Sequence, residues 1–243
     1  MEHNYKVTLS YDGTKYHGWA KQPNSITIQQ VVEEKLSIVL NKPTRVNAAG
    51  RTDAYVHANN QVCNFETTQK LITGKIKSSL NKILPEDIYI KSIKEVNSKF
   101  HARFSCIKKE YVYLIYTGEK NVFFNNHYLH YKKKINLPLI RKAAKLLVGK
   151  HDFKSFSISD KEETVRTIKS IIISKDENII KIKVVGDGFL RGMVRMIVGT
   201  LLDINEEKKE LADIEKLLNN PFKGSAITKV KGCGLYLNKV WYN

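Results

Sequence analysis

Ala49-Gly50-Arg51-Thr52-Asp53-Ala54-Tyr55-Val56-His57-Ala58 is the stretch around which the rest of the chain can be ordered. Thr44 to Ala48 before it and Gln61 to Phe65 after it are short and suited to strands, so the segment reads as a Gly-opened connection between two strands. It carries one carboxylate, Asp53, two residues from the guanidinium of Arg51. Loops on a rigid frame are where reactive side chains concentrate. The plain alternative is an Asx-type turn whose carboxylate accepts from backbone amides, and these ten residues alone leave the two readings balanced.

Working outward, Lys6 to Tyr11 alternates apolar Val7, Leu9 and Tyr11 with polar neighbours and predicts a half-buried strand entering a turn at Asp12-Gly13. Thr27 and Gln30 have capping-box spacing. Ile28, Val31, Val32, Leu36, Val39 and Leu40 then form one apolar helical stripe that ends near Asn41 and Pro43. On the other side, Leu71 to Ile83 predicts a weaker helix and Ile88 to Val96 a strand, which completes a β-α-β-α-β half. A second half follows without a flexible linker. It has a strand at Tyr111 to Tyr116 and a helix at Leu139 to Val148, framed by Pro138 and Gly149. Strands at Thr167 to Ser174 and Ile179 to Val185 come next. A helix lined by Leu190, Val194, Ile197, Val198 and Leu201 precedes a short helix at Leu211 to Leu218 and a last strand at Gly234 to Trp241. Gly186-Asp187-Gly188 lacks the spacing of a dinucleotide loop and reads as a hairpin-like turn. Strands interleaved with helices predict an α/β (α+β) fold, divided into halves at 1–105 and 106–243.

The chain has 243 residues, 42% of them hydrophobic, enough for a substantial core. No apolar run approaches the ~20 residues of a membrane helix, and the opening residues lack the pattern of a secretory signal, so a cytoplasmic protein is expected. Cys63, Cys106 and Cys233 are odd in number and widely spaced, which argues against a disulfide framework or a thiolate zinc site. The seven histidines show no metal-ligand spacing. No metal and no cofactor are expected. A net charge of +17 points to a polyanionic partner, most simply a nucleic acid. Lysine supplies 34 of the 41 basic residues and arginine seven, a bias that an AT-rich genome would also produce. Against that background Arg51, Arg103, Arg166 and Arg195 stand out as places for a planar, permanently charged fork. Lys132, Lys133 and Lys134 read either as a solvated charge run or as one wall of a basic groove.

Four blocks, YDGTKYHGW at Tyr11 to Trp19, AGRTDAYVHA at Ala49 to Ala58, FHARFSCIKKEYVY at Phe100 to Tyr113 and GFLRGMVRMIVGTL at Gly188 to Leu201, closely resemble the tRNA pseudouridine synthase A (TruA) family and arrive in the family's order. The resemblance implies a pseudouridine synthase fold: two similar α/β halves sharing a continuous, mostly antiparallel sheet flanked by helices, with a cleft between them. It implies a cofactor-free isomerase converting uridine to pseudouridine on the 3′ side of the tRNA anticodon stem-loop, acting as a homodimer. By the same resemblance Asp53 is the nucleophile, Arg195 its ion-pair partner and Tyr111 the ring that stacks on the flipped base. Arg51 contacts RNA or helps flip the base. Tyr55, His57 and Arg103 are further candidates, His57 as a structural support of the loop.

The chemistry fits one acid. The C1′–N1 bond must break and C5 must join C1′, with no net redox change and no group brought from outside, so a carboxylate nucleophile suffices, and a nearby cation favours its charged form in a desolvated pocket. A stacked base must first leave its helix, at a cost of a few kcal/mol that aromatic stacking offsets. The chain departs from the family pattern at Tyr55, where a Gly is usual, at Ala20 in place of Gln, and at Lys231-Gly232-Cys233-Gly234. Those departures put the substrate in question. A diverged paralogue acting on another RNA, such as ribosomal RNA, and a non-catalytic RNA-binding protein on the same scaffold are the competing expectations. A methyltransferase or deaminase is disfavoured by the missing Gly-rich loop and zinc ligands.

Overall fold

The computed structural model describes residues 2–160 and 162–243. In chain order the elements are β1 (His3–Tyr11), α1 (Ile28–Leu40), β2 (Asn47–Ala48), β3 (His57–Thr67), α2 (Thr73–Ile83), β4 (Ile88–Val96), β5 (Lys108–Tyr116), β6 (Leu129–His130), α3 (Leu137–Leu146), β7 (Gly149–Asp152), β8 (Val165–Asp176), β9 (Ile179–Gly186), α4 (Met193–Asn205), α5 (Leu211–Asn219) and β10 (Leu235–Trp241). The mixed α/β class and the mostly antiparallel pairing expected from the sequence are present. Among the described residues no helix is long and apolar enough to cross a membrane.

The chain forms two compact units, Met1–Ile107 with Tyr236–Asn243, and Lys108–Leu235. The expected division at 105/106 therefore differs at the C-terminus, where the last strand returns to the first unit. Parallel pairing of Tyr236 with His57 and Leu237 with Ala58 accounts for this return. So does the packing of Val240 and Tyr242 around Ala49, Val62 and Ala102.

In the first unit the sheet order is β4-β1-β3-β10, with β2 beside β3. Strand β1 is antiparallel to both neighbours, and Tyr5, Val7, Leu9 and Tyr11 are its buried apolar residues, as its alternation demands, with Asn4 buried beside them. Thr27 caps α1 by accepting from the Gln30 N–H, and Asn41 closes it in the left-handed region at φ 49°. Two strand expectations shift. The strand before the Asp53 loop shrinks to Asn47–Ala48, and the strand after it starts at His57 rather than Gln61.

In the second unit the order is β5-β9-β8-β7, with β6 beside β5. Strand β7 has no recognisable pattern in its sequence and exists through its pairing with β8. Gly186-Asp187-Gly188 is not a hairpin turn. It joins β9 to α4, and Asp187 donates its N–H to Thr167 O while its carboxylate accepts from Thr167 N, at 3.1 and 3.0 Å. Helix α4 is apolar nearly all round and is correspondingly buried at eleven of its 13 positions, Arg195 and Asn205 being the others.

Candidate active site

Asp53 lies on the loop between β2 and β3, its side chain partly exposed. The backbone around it is pinned residue by residue. Ala49 N–H donates to Val62 O at 2.7 Å, and Gly50 O accepts from the Gln61 amide at 2.9 Å. Thr52 is held twice: its carbonyl accepts from Trp19 N–H at 3.1 Å, and its hydroxyl meets the buried Tyr11 hydroxyl at 2.8 Å. Tyr55 N–H donates to Tyr16 O at 3.3 Å, and Val56 N–H donates back to Asp53 O at 3.2 Å. Burial drives the Tyr11 phenol well above its ordinary range, so it stays a neutral hydrogen-bonding group.

The segment between β1 and α1 supplies two of these bonds, through Tyr16 and Trp19, which requires it to lie against the loop backbone. Gly18 permits that approach. Its φ is +89°, and a Cβ there would fall 2.5 Å from Thr52 O. Beside it, His57 is 2% exposed, accepts from Gly13 N–H through Nδ1 at 3.0 Å and stacks on Tyr236 with centroids 4.6 Å apart. The Asp12 carboxylate lies 3.0 Å from the same nitrogen. His57 is thus built into the frame, at the first position of β3 and not on the loop. Arg51 is exposed. Arg103 is exposed too, with its guanidinium 5.5 Å from the Phe104 ring centre.

In the second unit Arg195 is the third residue of α4, partly buried. Its Nε donates to Val230 O at 2.7 Å, which fixes the guanidinium plane. Val230 N–H returns a longer bond to Arg195 O at 3.4 Å. One helical turn on, Gly199 lets the same segment run against α4, since a Cβ there would overlap the Thr228 carbonyl. A freely snorkelling surface arginine would have neither constraint.

Alternation places Tyr111 and Tyr113 on one face of β5, and their surroundings distinguish them. Tyr113 is fully buried and donates its hydroxyl to Lys231 O at 2.7 Å. Tyr111 is 7% exposed and meets the edge of Phe189 at 5.1 Å between centroids. Tyr113 is therefore a core residue.

The sequence profile described as tRNA pseudouridine synthase matches residues 8–105 and 143–243. The chain belongs to the tRNA pseudouridine synthase family. Its relatives include proteins named tRNA pseudouridine synthase A from Clostridium kluyveri, 40% identical over 98% of this chain and 99% of that one. Others are from Mycoplasmoides gallisepticum, 42% identical over 100% and 92%, and Malacoplasma penetrans, 43% identical over 98% and 99%.

Among pseudouridine synthase family features, Tyr55 departs most visibly. It keeps the positive φ, +64°, that a glycine would adopt without strain. Tyr11, Thr52, Gln61 and Gly18 support the loop but had no assigned role in the sequence, although Tyr11 and Gly18 stand in the YDGTKYHGW block. Phe189 was missed likewise, within the GFL of the fourth block. The Lys132–Lys134 run is partly neutralised: Lys133 Nζ lies 2.6 Å from Glu206, which Lys208 also contacts at 2.8 Å. Hydrogen bonds from those lysines hold the Glu206 carboxyl down to about 2. Arg166 is tied to its own neighbours, Glu163 and Val165. Burial pushes the Cys63 thiol up to about 12, which leaves it inert.

Proposed function

We propose that this chain isomerises uridine to pseudouridine in tRNA, on the 3′ side of the anticodon stem-loop. Asp53 is the nucleophile. Its carboxylate either adds to the base or assists departure at C1′ as the C1′–N1 bond breaks; the uracil then turns, C5 joins C1′ with release of any bond to the carboxylate, the proton on C5 leaves to a base or water, and N1 takes up a proton. Substrate and product have the same composition, so no reductant, oxidant or donor enters. Tyr111 stacks on the extruded base, Arg195 is the ion-pair partner of Asp53, and Arg51 meets the RNA beside the target. A homodimer in the cytoplasm completes the reading.

The observation that carries it is the build of the Asp53 loop. Hydrogen bonds at positions 49, 50, 52, 55 and 56 fix its backbone, while Asp53 as a residue stays partly exposed. A loop pinned on both sides of an accessible acid is pre-organised for attack on a docked atom. The net charge of +17 supplies the general attraction for RNA.

Purified protein incubated with anticodon stem-loop transcripts and, separately, with ribosomal RNA transcripts, followed by mapping of pseudouridine, tests the reading directly. Wild type should form product with or without chelator. Asp53→Asn should lose at least about 10³-fold in rate while keeping RNA affinity. Product confined to ribosomal RNA would transfer the activity to another substrate, and an Asp53→Asn protein as active as wild type would remove the nucleophile.

A further inference from the structure

Folding does not account for the side chain at Tyr55. Its φ of +64° lies in the left-handed region, which costs a non-glycine residue roughly 1–2 kcal/mol. The N–H bond to Tyr16 O is a backbone bond that glycine would make equally well. Burial does not compensate either, because the ring is 50% exposed. A large aromatic side chain is thus held in a strained conformation, half in water, two residues from the proposed nucleophile.

Its surroundings indicate a use. The exposed His17 imidazole lies beside it, ring centroids 6.3 Å apart and planes inclined by 50°. Both rings stand on segments locked together by the Gly18 contact described above. Cations flank them in the chain: Arg51 is exposed on the same loop, and the segment bearing His17 carries Lys15 and Lys21, whose side chains are 81% and 59% exposed and lie 3.5 Å from Asp87 and 3.7 Å from Glu33. Exposed rings with neighbouring cations match an unpaired nucleobase, whose flat face stacks while its phosphate meets positive charge. Phosphate alone would need no ring, and an apolar protein partner would not favour the cations.

We infer that the Tyr55 ring, with His17 at its side, is a stacking platform for an unpaired nucleobase of the RNA beside the target uridine. It is a specificity-determining residue for loop sequence, and this inference rests on the pseudouridine synthase reading above.

Steady-state pseudouridine formation by wild type, Tyr55→Phe and Tyr55→Gly, on transcripts carrying an abasic site at each loop position in turn, tests it. With intact transcripts Tyr55→Gly should raise KM about tenfold with little change in kcat, while Tyr55→Phe stays near wild type. At one abasic position the wild type should lose the same factor, and Tyr55→Gly should lose nothing more. Thermal melting should find Tyr55→Gly at least as stable as wild type. An unchanged KM in Tyr55→Gly, or a penalty that persists at every abasic position, overturns the platform while leaving the enzyme reading intact. Absence of product from the wild type overturns both.

Discussion

Asp53 and Arg195 are held by different means. The acid stands on an irregular loop, and each backbone position around it depends on a separate polar bond, from Tyr11, Trp19, Gln61, Tyr16 or Val62. The guanidinium stands on α4, where eleven of 13 residues are buried; packing fixes the helix, and a bond to Val230 O orients the side chain. Each region has a glycine where another segment comes close, Gly18 or Gly199, and at the loop Gly13 comes closer still, against Val56 O. Each also has a non-glycine residue at positive φ nearby, Tyr55 at +64° and Ile227 at +63°. An exposed acid cannot be fixed by burying it, so hydrogen bonds to its backbone do the positioning. A largely apolar, buried helix can carry a partly buried guanidinium on its first turn.

If that contrast is correct, the helix should suffer most from overfilling and the loop from small displacements. Gly199→Ala should lower stability by roughly 2–4 kcal/mol, measured by urea unfolding, because backbone and helix must separate. Loss of less than about 0.5 kcal/mol would show that the segment yields easily. Gly18→Ala combines steric overlap with a φ of +89°. It should reduce kcat by about 10²-fold, in proportion to the displacement of the loop, with a smaller effect on melting. Equal losses in both measurements would erase the distinction between loop and helix.

Tyr11→Phe leaves the Thr52 hydroxyl without its 2.8 Å partner. It should cost about 1–2 kcal/mol together with a several-fold drop in rate; a stability loss with no change in rate would mean Thr52 does not place Asp53. The smallest effect belongs to Glu206, outside both regions and useful as a control. Its carboxyl is lowered from 4.5 to about 2, so its contribution is present above pH 4.5 and disappears as pH falls from 4.5 toward 2. Its partners Lys133 and Lys208 are exposed, which limits that contribution to about 1 kcal/mol or less. Glu206→Gln should melt slightly lower than wild type at pH 7 and converge with it near pH 2. A gap that widens on acidification would contradict this assignment.

Local sequence specified the elements whose causes are local. Thr27 and Asn41 bound α1 because a side-chain oxygen and a left-handed residue each satisfy adjacent helix-end groups. The alternation in Lys6 to Tyr11 foretold β1, and the apolar Ile88 to Val96 run foretold β4. Where a partner distant in the chain makes the structure, the sequence had no signal. His57 to Asn60 has little strand character of its own, and its start as β3 coincides with pairing to Tyr236 and Leu237. Gly149 to Asp152 becomes β7 only through β8.

The candidate site divides the same way. Residue identity was sufficient to nominate Asp53, Arg195, Tyr111 and Arg51, since the chemistry needs an acid, a cation and a ring, and the family blocks carry them. Only tertiary structure showed the Tyr113 hydroxyl bonded to Lys231 O. It also revealed Tyr11, Thr52, Gln61 and Gly18 as the support of the Asp53 loop. Side-chain chemistry is written one residue at a time, whereas the bonds that aim a side chain close between segments whose separation along the chain encodes nothing about their distance in space.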